Sequence, residues 1–382
     1  MTNEGAGAAG AQGRRLVIKI GSSTLTTSES KVDYDYLRCI ADQIAQVQAA
    51  GWQPVIVTSA AIACGLEALG IDKRPHDMPS LQAAASVGQV VLSAAYAEAF
   101  APHGITTSVV LLTRRDTADR RAYLHARDTL MRLLELGVVP VVNENDTISV
   151  EQIRFGDNDT LAALVACLIE ADLMVVLSDI EGLYDDNPNT NPEAQLISRV
   201  DAIGPEILAV AGGAGSTIGS GGMITKIKAA RVLMVAGIPL VICHGRRVGA
   251  IVDAAEGREV GTRFVAAAKP HAITPKKLWI ALGDAVRGAL VVDAGAKAAL
   301  IDRGCSLLTV GVSAVEGHFD EGDIVDIKDT GGHLFARGRV ASTSDEVELA
   351  VGYSREALRA NRLLCDLADK ALVHRDELVV FE

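Results

Sequence analysis

Two lysines sit in this chain where apolar residues or plain turns would be expected. Lys19 interrupts the run Leu16-Val17-Ile18-Lys19-Ile20, and Gly21-Ser22-Ser23-Thr24 follows at once. A lysine in such a strand is costly unless it pairs with a charge or reaches out at the strand's end. The glycine turn beyond it can present N–H groups to phosphate oxygens. Lys226 closes a second glycine-rich element, Gly219-Ser220-Gly221-Gly222-Met223-Ile224-Thr225-Lys226, which opens a helix. The free N–H groups and dipole of a helix start favour an anion. A snorkelling lysine and a flexible linker would explain the two elements without any ligand.

Carboxylates and amides gather in a third place, residues 138–163. A β-branched apolar run ends abruptly in Asn143-Glu144-Asn145-Asp146, and Gly156-Asp157-Asn158-Asp159 then opens a segment with Leu161, Leu164, Val165 and Leu168 at helical spacing. Turn and capping chemistry accounts for either cluster alone. Two clusters, one where a buried strand ends and one where a helix begins, favour a site for a small polar ligand. With the lysines added, the set fits phosphoryl transfer. That reaction asks a protein to hold donor and acceptor in line and to neutralise the moving charge.

The elements that must position these residues alternate. Strands are expected at 16–20, 54–59, 105–112, 138–143, 173–177 and 239–243, the last of this half. Helices are expected from Asp33 (with Leu37, Ile40, Ile44 and Val47 as its stripe), from Ala60 to about Gly70, over 80–100 and 120–136, over the segment opened by Gly156-Asp157-Asn158-Asp159, and over 223–236. This order predicts an α/β fold, a three-layer αβα sandwich with a mainly parallel central sheet. Residues 1–14 read as a loose tail, 15–268 as the main domain and 269–276, bracketed by Pro270 and Pro275, as a link. From 277 to 382, glycines set off short strands, which predicts a small β-rich module. Helical content is expected there only near 354–371.

Composition limits the rest. The chain has 382 residues, of which 49% are hydrophobic and only 4% aromatic, which suits a parallel sheet under small-residue helices. A net charge of −12 disfavours non-specific binding to nucleic acid or to an anionic membrane. Six cysteines without CxxC spacing argue against a disulfide framework or zinc site and fit a reducing cytoplasm. No signal peptide and no membrane-length apolar run is expected. Neither glycine element matches G-x-x-x-x-G-K-[ST], and no G-x-G-x-x-G follows the first strand, so a Walker-type NTPase and a dinucleotide fold are disfavoured.

Six motifs carry a resemblance: Val17 to Ser23, Val57 to Ala63, Val142 to Thr147, Phe155 to Asp159, Leu177 to Tyr184 and Gly221 to Lys226. In this order they resemble the glutamate 5-kinases of the amino acid kinase family, and the C-terminal part resembles a PUA domain. The resemblance implies the amino acid kinase fold and ATP-dependent phosphorylation of the γ-carboxylate of L-glutamate, the first step of proline biosynthesis. It implies that Lys19 and Lys226 stabilise the transferring phosphoryl group and that Asp159 orients them. Ser59, Ala60, Asp146 and Asn158, with Asn143 close by, fall on the glutamate-binding positions. Lys19, Gly21, Ser22, Ser178, Asp179 and Ser220, Gly221, Gly222, Met223, Ile224, Thr225 and Lys226 fall on the ATP-binding segments. Mg2+ would be held mainly by ATP phosphates, with no protein metal ligands. Feedback inhibition by proline, a homo-oligomer (dimer or tetramer), a cytoplasmic location and coupling to glutamate-5-semialdehyde dehydrogenase are further implications. The family usually has Ser-Gly where this chain has Ser59-Ala60. Alanine adds a Cβ where the backbone approaches substrate or where φ is positive.

Two rivals remain open at this point. Another kinase of the family could act on a different carboxylate or on a phosphate. A phosphate acceptor would call for more Arg or Lys in these loops, where Arg154 is the exception. RNA binding through the C-terminal module is the other, but residues 276–382 carry 13 Lys/Arg against 18 Asp/Glu, the wrong sign for contacting phosphates.

Overall fold

A computed structural model describes residues 13–27, 31–113, 120–148, 158–188, 190–211, 222–266, 275–282 and 286–381. The chain divides into two units, the first made of Met1–Asp116, Arg121–Met234 and Ile238–Ala266. In this unit β1 (Arg14–Ile20), β2 (Trp52–Val57), β3 (Thr107–Leu112), β4 (Val139–Glu144), β5 (Leu173–Ser178), β6 (Arg199–Val200), β7 (Leu240–His244) and β8 (Thr262–Phe264) form one sheet. Its strand order is β3-β4-β2-β1-β5-β7-β8-β6. Every pairing is parallel except that of β7 with β8. β4 and β5 are buried along their whole length, and β1 at all but its first residue. That is why their sequences read as continuous apolar runs instead of alternating. The expectation that β7 would be the last strand here was wrong. β8 is three residues long, too short to show a period, and it is defined by its antiparallel partner.

Helix Tyr34–Ala49 starts where Asp33 accepts from the Tyr36 N–H, and it buries the expected stripe of Leu37, Ile40, Ile44 and Val47. Helices Ala61–Ala68 and Met78–Phe100 meet backbone to backbone. A Cβ on Gly65 would lie 1.7 Å from the Ala84 carbonyl oxygen, and one on Gly88 1.7 Å from that of Ala61. Only glycine at both positions permits this crossing, which places the long helix beside the end of β2. No described helix is long and apolar enough to cross a membrane.

In the second unit β9 (Val286–Val292), β10 (Leu307–Leu308), β11 (Val312–Gly317), β12 (Ile324–Asp329), β13 (Leu334–Val340) and β14 (Ala371–Val380) form a sheet in the order β10-β14-β13-β12-β9-β11. Leu290, Phe319, Val325, Ile327, Phe335 and Val373 fill its core. The β-rich reading holds, and helix Arg355–Ala360 lies in the expected stretch, but Pro275–Leu282, Ala294–Arg303 and Ser344–Ala350 are further helices that were not expected. The signals were present. Asp293 accepts from Ala296 N–H at one end of its helix, and Gly304 closes the other at φ 59°. Thr343 and Glu346 form a reciprocal capping box. Across 354–371 itself the chain holds one short helix and a single 3-10 turn, Cys365–Leu367, before β14 begins.

Candidate active site

Parallel register brings the sequence-marked strands to a common edge. Lys19 in β1 stands opposite Val57 in β2 and Val176 in β5, and Val57 stands opposite Val142 in β4. The carboxyl ends of four adjacent strands therefore present Asn143, then Thr58 and Ser59, then Lys19 and Gly21, then Ser178. This is the edge at which open α/β sheets take ligands.

Asp159, the second residue of helix Asn158–Leu168, is fully buried. Lys19 Nζ lies 2.6 Å from its Oδ1, and Lys226 Nζ lies 3.2 Å from its Oδ2. The Thr225 hydroxyl donates to Oδ2 at 2.8 Å. Burial alone would raise the Asp159 pKa. The charges of Lys19 and Lys226, with hydrogen bonds from Lys19 and Thr225, overcome it and hold the carboxyl at about 2. One carboxylate thus serves two ammonium groups, and the triad keeps one net positive charge in a low-dielectric setting. Such a group attracts an anion and is worth most when charge develops on it.

Beside the triad, amides interlock. The Asn158 NH2 group faces the Thr58 carbonyl oxygen, the Ser59 hydroxyl at 3.0 Å and Asn143 Oδ1 at 3.0 Å. Asn143 Oδ1 also accepts from the Glu144 N–H at 2.9 Å, while its NH2 donates to Gln89 Oε1 at 2.9 Å. Thr58 Oγ1 and the Tyr96 hydroxyl share a buried hydrogen bond of 2.9 Å.

A model of the amino acid kinase family matches residues 14–244. The chain belongs to the amino acid kinase family. A PUA domain model matches residues 288–360, inside the second unit. The glutamate 5-kinase of Syntrophotalea carbinolica is 44% identical over 369 residues, covering 97% of this chain and 98% of that one. Its counterpart from Moorella thermoacetica is 45% identical over 369 residues, covering 97% of each chain. That from Geobacter sulfurreducens is 44% identical over 367 residues, covering 96% of this chain and 97% of that one. The chain is a kinase with an amino acid kinase domain and a PUA domain.

Of the residues marked in the sequence, the structure of this amino acid kinase joins Lys19, Asp159, Thr225 and Lys226 directly, and Ser59, Asn143 and Asn158 to one another. Gly21 is extended at φ −78°, so no strain requires glycine there. A Cβ on it would lie 3.6 Å from Lys19 Nζ, so its absence keeps space open over the ammonium. Ser22 is exposed at the start of the turn Ser22–Leu25, whose Thr24 and Leu25 are buried. That turn is held from behind by Arg246, whose guanidinium donates to the Thr24 carbonyl at 3.2 Å and to Asp33 Oδ2 at 2.6 Å. Buried Ser178 donates to exposed Asp179 at 3.1 Å, and no hydrogen bond between described residues joins either to the triad. Gly222, Met223 and Ile224 are half-buried at the start of helix Met223–Val235, whereas Ser220 and Gly221 lie outside the described residues.

Asp146 is half-buried in the turn after β4, without a hydrogen bond to Asn143 or Asn158. Burial raises its pKa to about 6, against a lowering influence from Arg74. Ala60 takes φ 77° and ψ 5°, the left-handed region that the departure from Ser-Gly brought into question. Sequence reasoning missed Gln89, Thr58 and Tyr96. Gln89 and Tyr96 belong to a helix whose Ala- and Val-rich composition reads as core, and nothing in the sequence sets Gln89 apart from its other polar residues such as Gln82.

Proposed function

We propose that this amino acid kinase transfers the γ-phosphoryl group of ATP to the γ-carboxylate of L-glutamate, giving L-glutamyl 5-phosphate. The Lys19–Asp159–Lys226 triad carries the reading, because it offers two fixed ammonium groups where a phosphoryl group must shed charge. The three relatives named above support the choice of glutamate over another acceptor. A γ-carboxylate is already ionised at neutral pH, so it attacks phosphorus without a general base. Lys19 and Lys226 neutralise the equatorial oxygens, Asp159 fixes both lysines, and Gly21 leaves room above Lys19. Ser59, Asn143, Asp146 and Asn158 bind the amino acid. In this reading the Asp146 carboxylate and the Asn158 amide oxygen face its ammonium group. The nucleotide lies along Gly21, Ser22, Ser178, Asp179 and 220–226. Among the described residues no cluster of three or more His, Cys, Asp or Glu side chains is placed to hold a metal. Mg2+ in this scheme arrives on the nucleotide's phosphates.

The wider reading takes 15–268 as the catalytic domain, 269–276 as a linker and 277–382 as the PUA-like domain with a C-terminal extension. The enzyme would act in the cytoplasm as a homo-oligomer at the first step of proline synthesis. Proline would oppose glutamate at its site, and glutamate-5-semialdehyde dehydrogenase would consume the acyl phosphate. Trapping the acyl phosphate with hydroxylamine tests the core. Hydroxamate should form with glutamate, ATP and magnesium together, and less of it with proline added. Turnover on another acceptor and none on glutamate would reject the reading.

A further inference from the structure

Gln89 lies on helix Met78–Phe100, outside every segment the sequence marks as part of the site, yet its side chain ends on one of the proposed glutamate-binding residues. The direction of that contact is fixed. Asn143 Oδ1 accepts from the Glu144 backbone N–H, so only its NH2 group can face Gln89 Oε1. Asn158 is oriented in the same way: its NH2 is turned toward the Thr58 carbonyl and toward Asn143 Oδ1. What Asn158 offers on its other side is therefore an oxygen, an acceptor suited to an ammonium group. Gln89 is itself steadied by its Nε2–H to Ser93 Oγ at 3.3 Å, one turn along the helix. Asn143 is 2% exposed, so water cannot easily replace Gln89 as its acceptor.

We infer that Gln89 is a positioning residue for the amino-acid acceptor. By accepting from Asn143 it holds the Asn143–Asn158 pair in the orientation that presents an oxygen to the substrate ammonium, and it sets the KM for that substrate without acting on the nucleotide. This rests on the reading that Asn143 and Asn158 bind the acceptor.

The test is a double-mutant cycle on the full-length enzyme with Gln89→Leu, Gln89→Glu, Asn143→Ala and Gln89→Leu/Asn143→Ala, each checked for an unaltered melting transition. Gln89→Leu should raise the KM for glutamate about tenfold, with kcat and the KM for ATP within about twofold of wild type. Gln89→Glu keeps an acceptor oxygen and should restore most of that loss. In the Asn143→Ala background, Gln89→Leu should add less than about twofold. An undiminished second effect would overturn the inference, as would equal damage from Glu and Leu or parallel losses toward ATP. Wild-type enzyme without glutamate-dependent ADP release would instead overturn the functional reading and this inference with it.

Discussion

Lys19 and Lys226, more than two hundred residues apart in sequence, bind opposite oxygens of the same buried carboxylate, Asp159. The three members are not equivalent. If either lysine is removed, Asp159 keeps the other lysine and the Thr225 hydroxyl. If the aspartate is removed, both ammonium groups lose the buried carboxylate that bridges them.

Lys19→Ala or Lys226→Ala should therefore leave a folded enzyme whose kcat falls by about two to three orders of magnitude, as when one charge-stabilising donor is lost. Asp159→Ala should cost about 3–5 kcal/mol of stability as well. Steady-state kinetics beside urea unfolding of all three variants separates the roles. Near-normal turnover in either lysine variant would remove that lysine from the chemistry.

The pH dependence of glutamate binding should follow Asp146. Its pKa is raised to about 6, so protons occupy it as the pH falls through 6, and the negative charge that the proposed function sets against the substrate ammonium is lost. The KM for glutamate should rise below about pH 6 while the KM for ATP stays level, and Asp146→Asn should flatten the profile. Asp159 behaves in the opposite sense. Its folded pKa is lowered to about 2, so its contribution to stability is present above the unfolded value and is lost only as the pH falls toward 2. Across the window where Asp146 titrates, the triad stays intact.

Ala60 holds a left-handed conformation at φ 77°. That geometry costs an L-residue about 1–2 kcal/mol, offset in part by the about 0.4–1 kcal/mol by which alanine restricts the unfolded chain relative to glycine. Ala60→Gly should be neutral to about 1.6 kcal/mol stabilising. Ala60→Val, β-branched at positive φ, should be clearly destabilising. Chemical denaturation of both variants checks the sign, and a marked loss of stability in Ala60→Gly would contradict it.

The crossing of the two helices at Gly65 and Gly88 admits no side chain. Gly88→Ala should destabilise the enzyme by about 1–3 kcal/mol or more, because its Cβ meets the Ala61 carbonyl oxygen and the helices must part. The KM for glutamate should also rise, since Ala61 follows directly on Ser59 and Ala60. A Gly88→Ala enzyme with wild-type unfolding would show that the crossing is looser than this packing requires.

The sequence made Lys19 and Lys226 legible because each is out of place in its local setting. One lysine lies in an apolar strand and one beside a run of glycines, whereas Asp159, an acid at a helix start, is ordinary capping chemistry whose role came only with the family resemblance. The parallel sheet was legible in the same way, from strands too apolar to have a wet face. Gln89 and Tyr96 were hidden for the converse reason. They sit on a helix whose pattern is satisfied by packing, and their roles depend on partners at β2 and β4 that only the tertiary fold supplies. The short helices of the second unit carried their capping residues openly, at Asp293, Gly304 and Thr343. They were overlooked because the glycine spacing there also suits hairpins.

The central claim is attack of the glutamate γ-carboxylate on phosphorus over the Lys19–Asp159–Lys226 triad. It is tested most directly with glutamate carrying oxygen-18 in that carboxylate. When the acyl phosphate cyclises, nitrogen attacks the carbonyl carbon and the bridging oxygen leaves with phosphate. The account predicts inorganic phosphate bearing one labelled oxygen per turnover in the wild type and a sharply reduced yield in Lys19→Ala. Phosphate formed in step with ADP but free of label would mean that water is the acceptor, and would contradict the account.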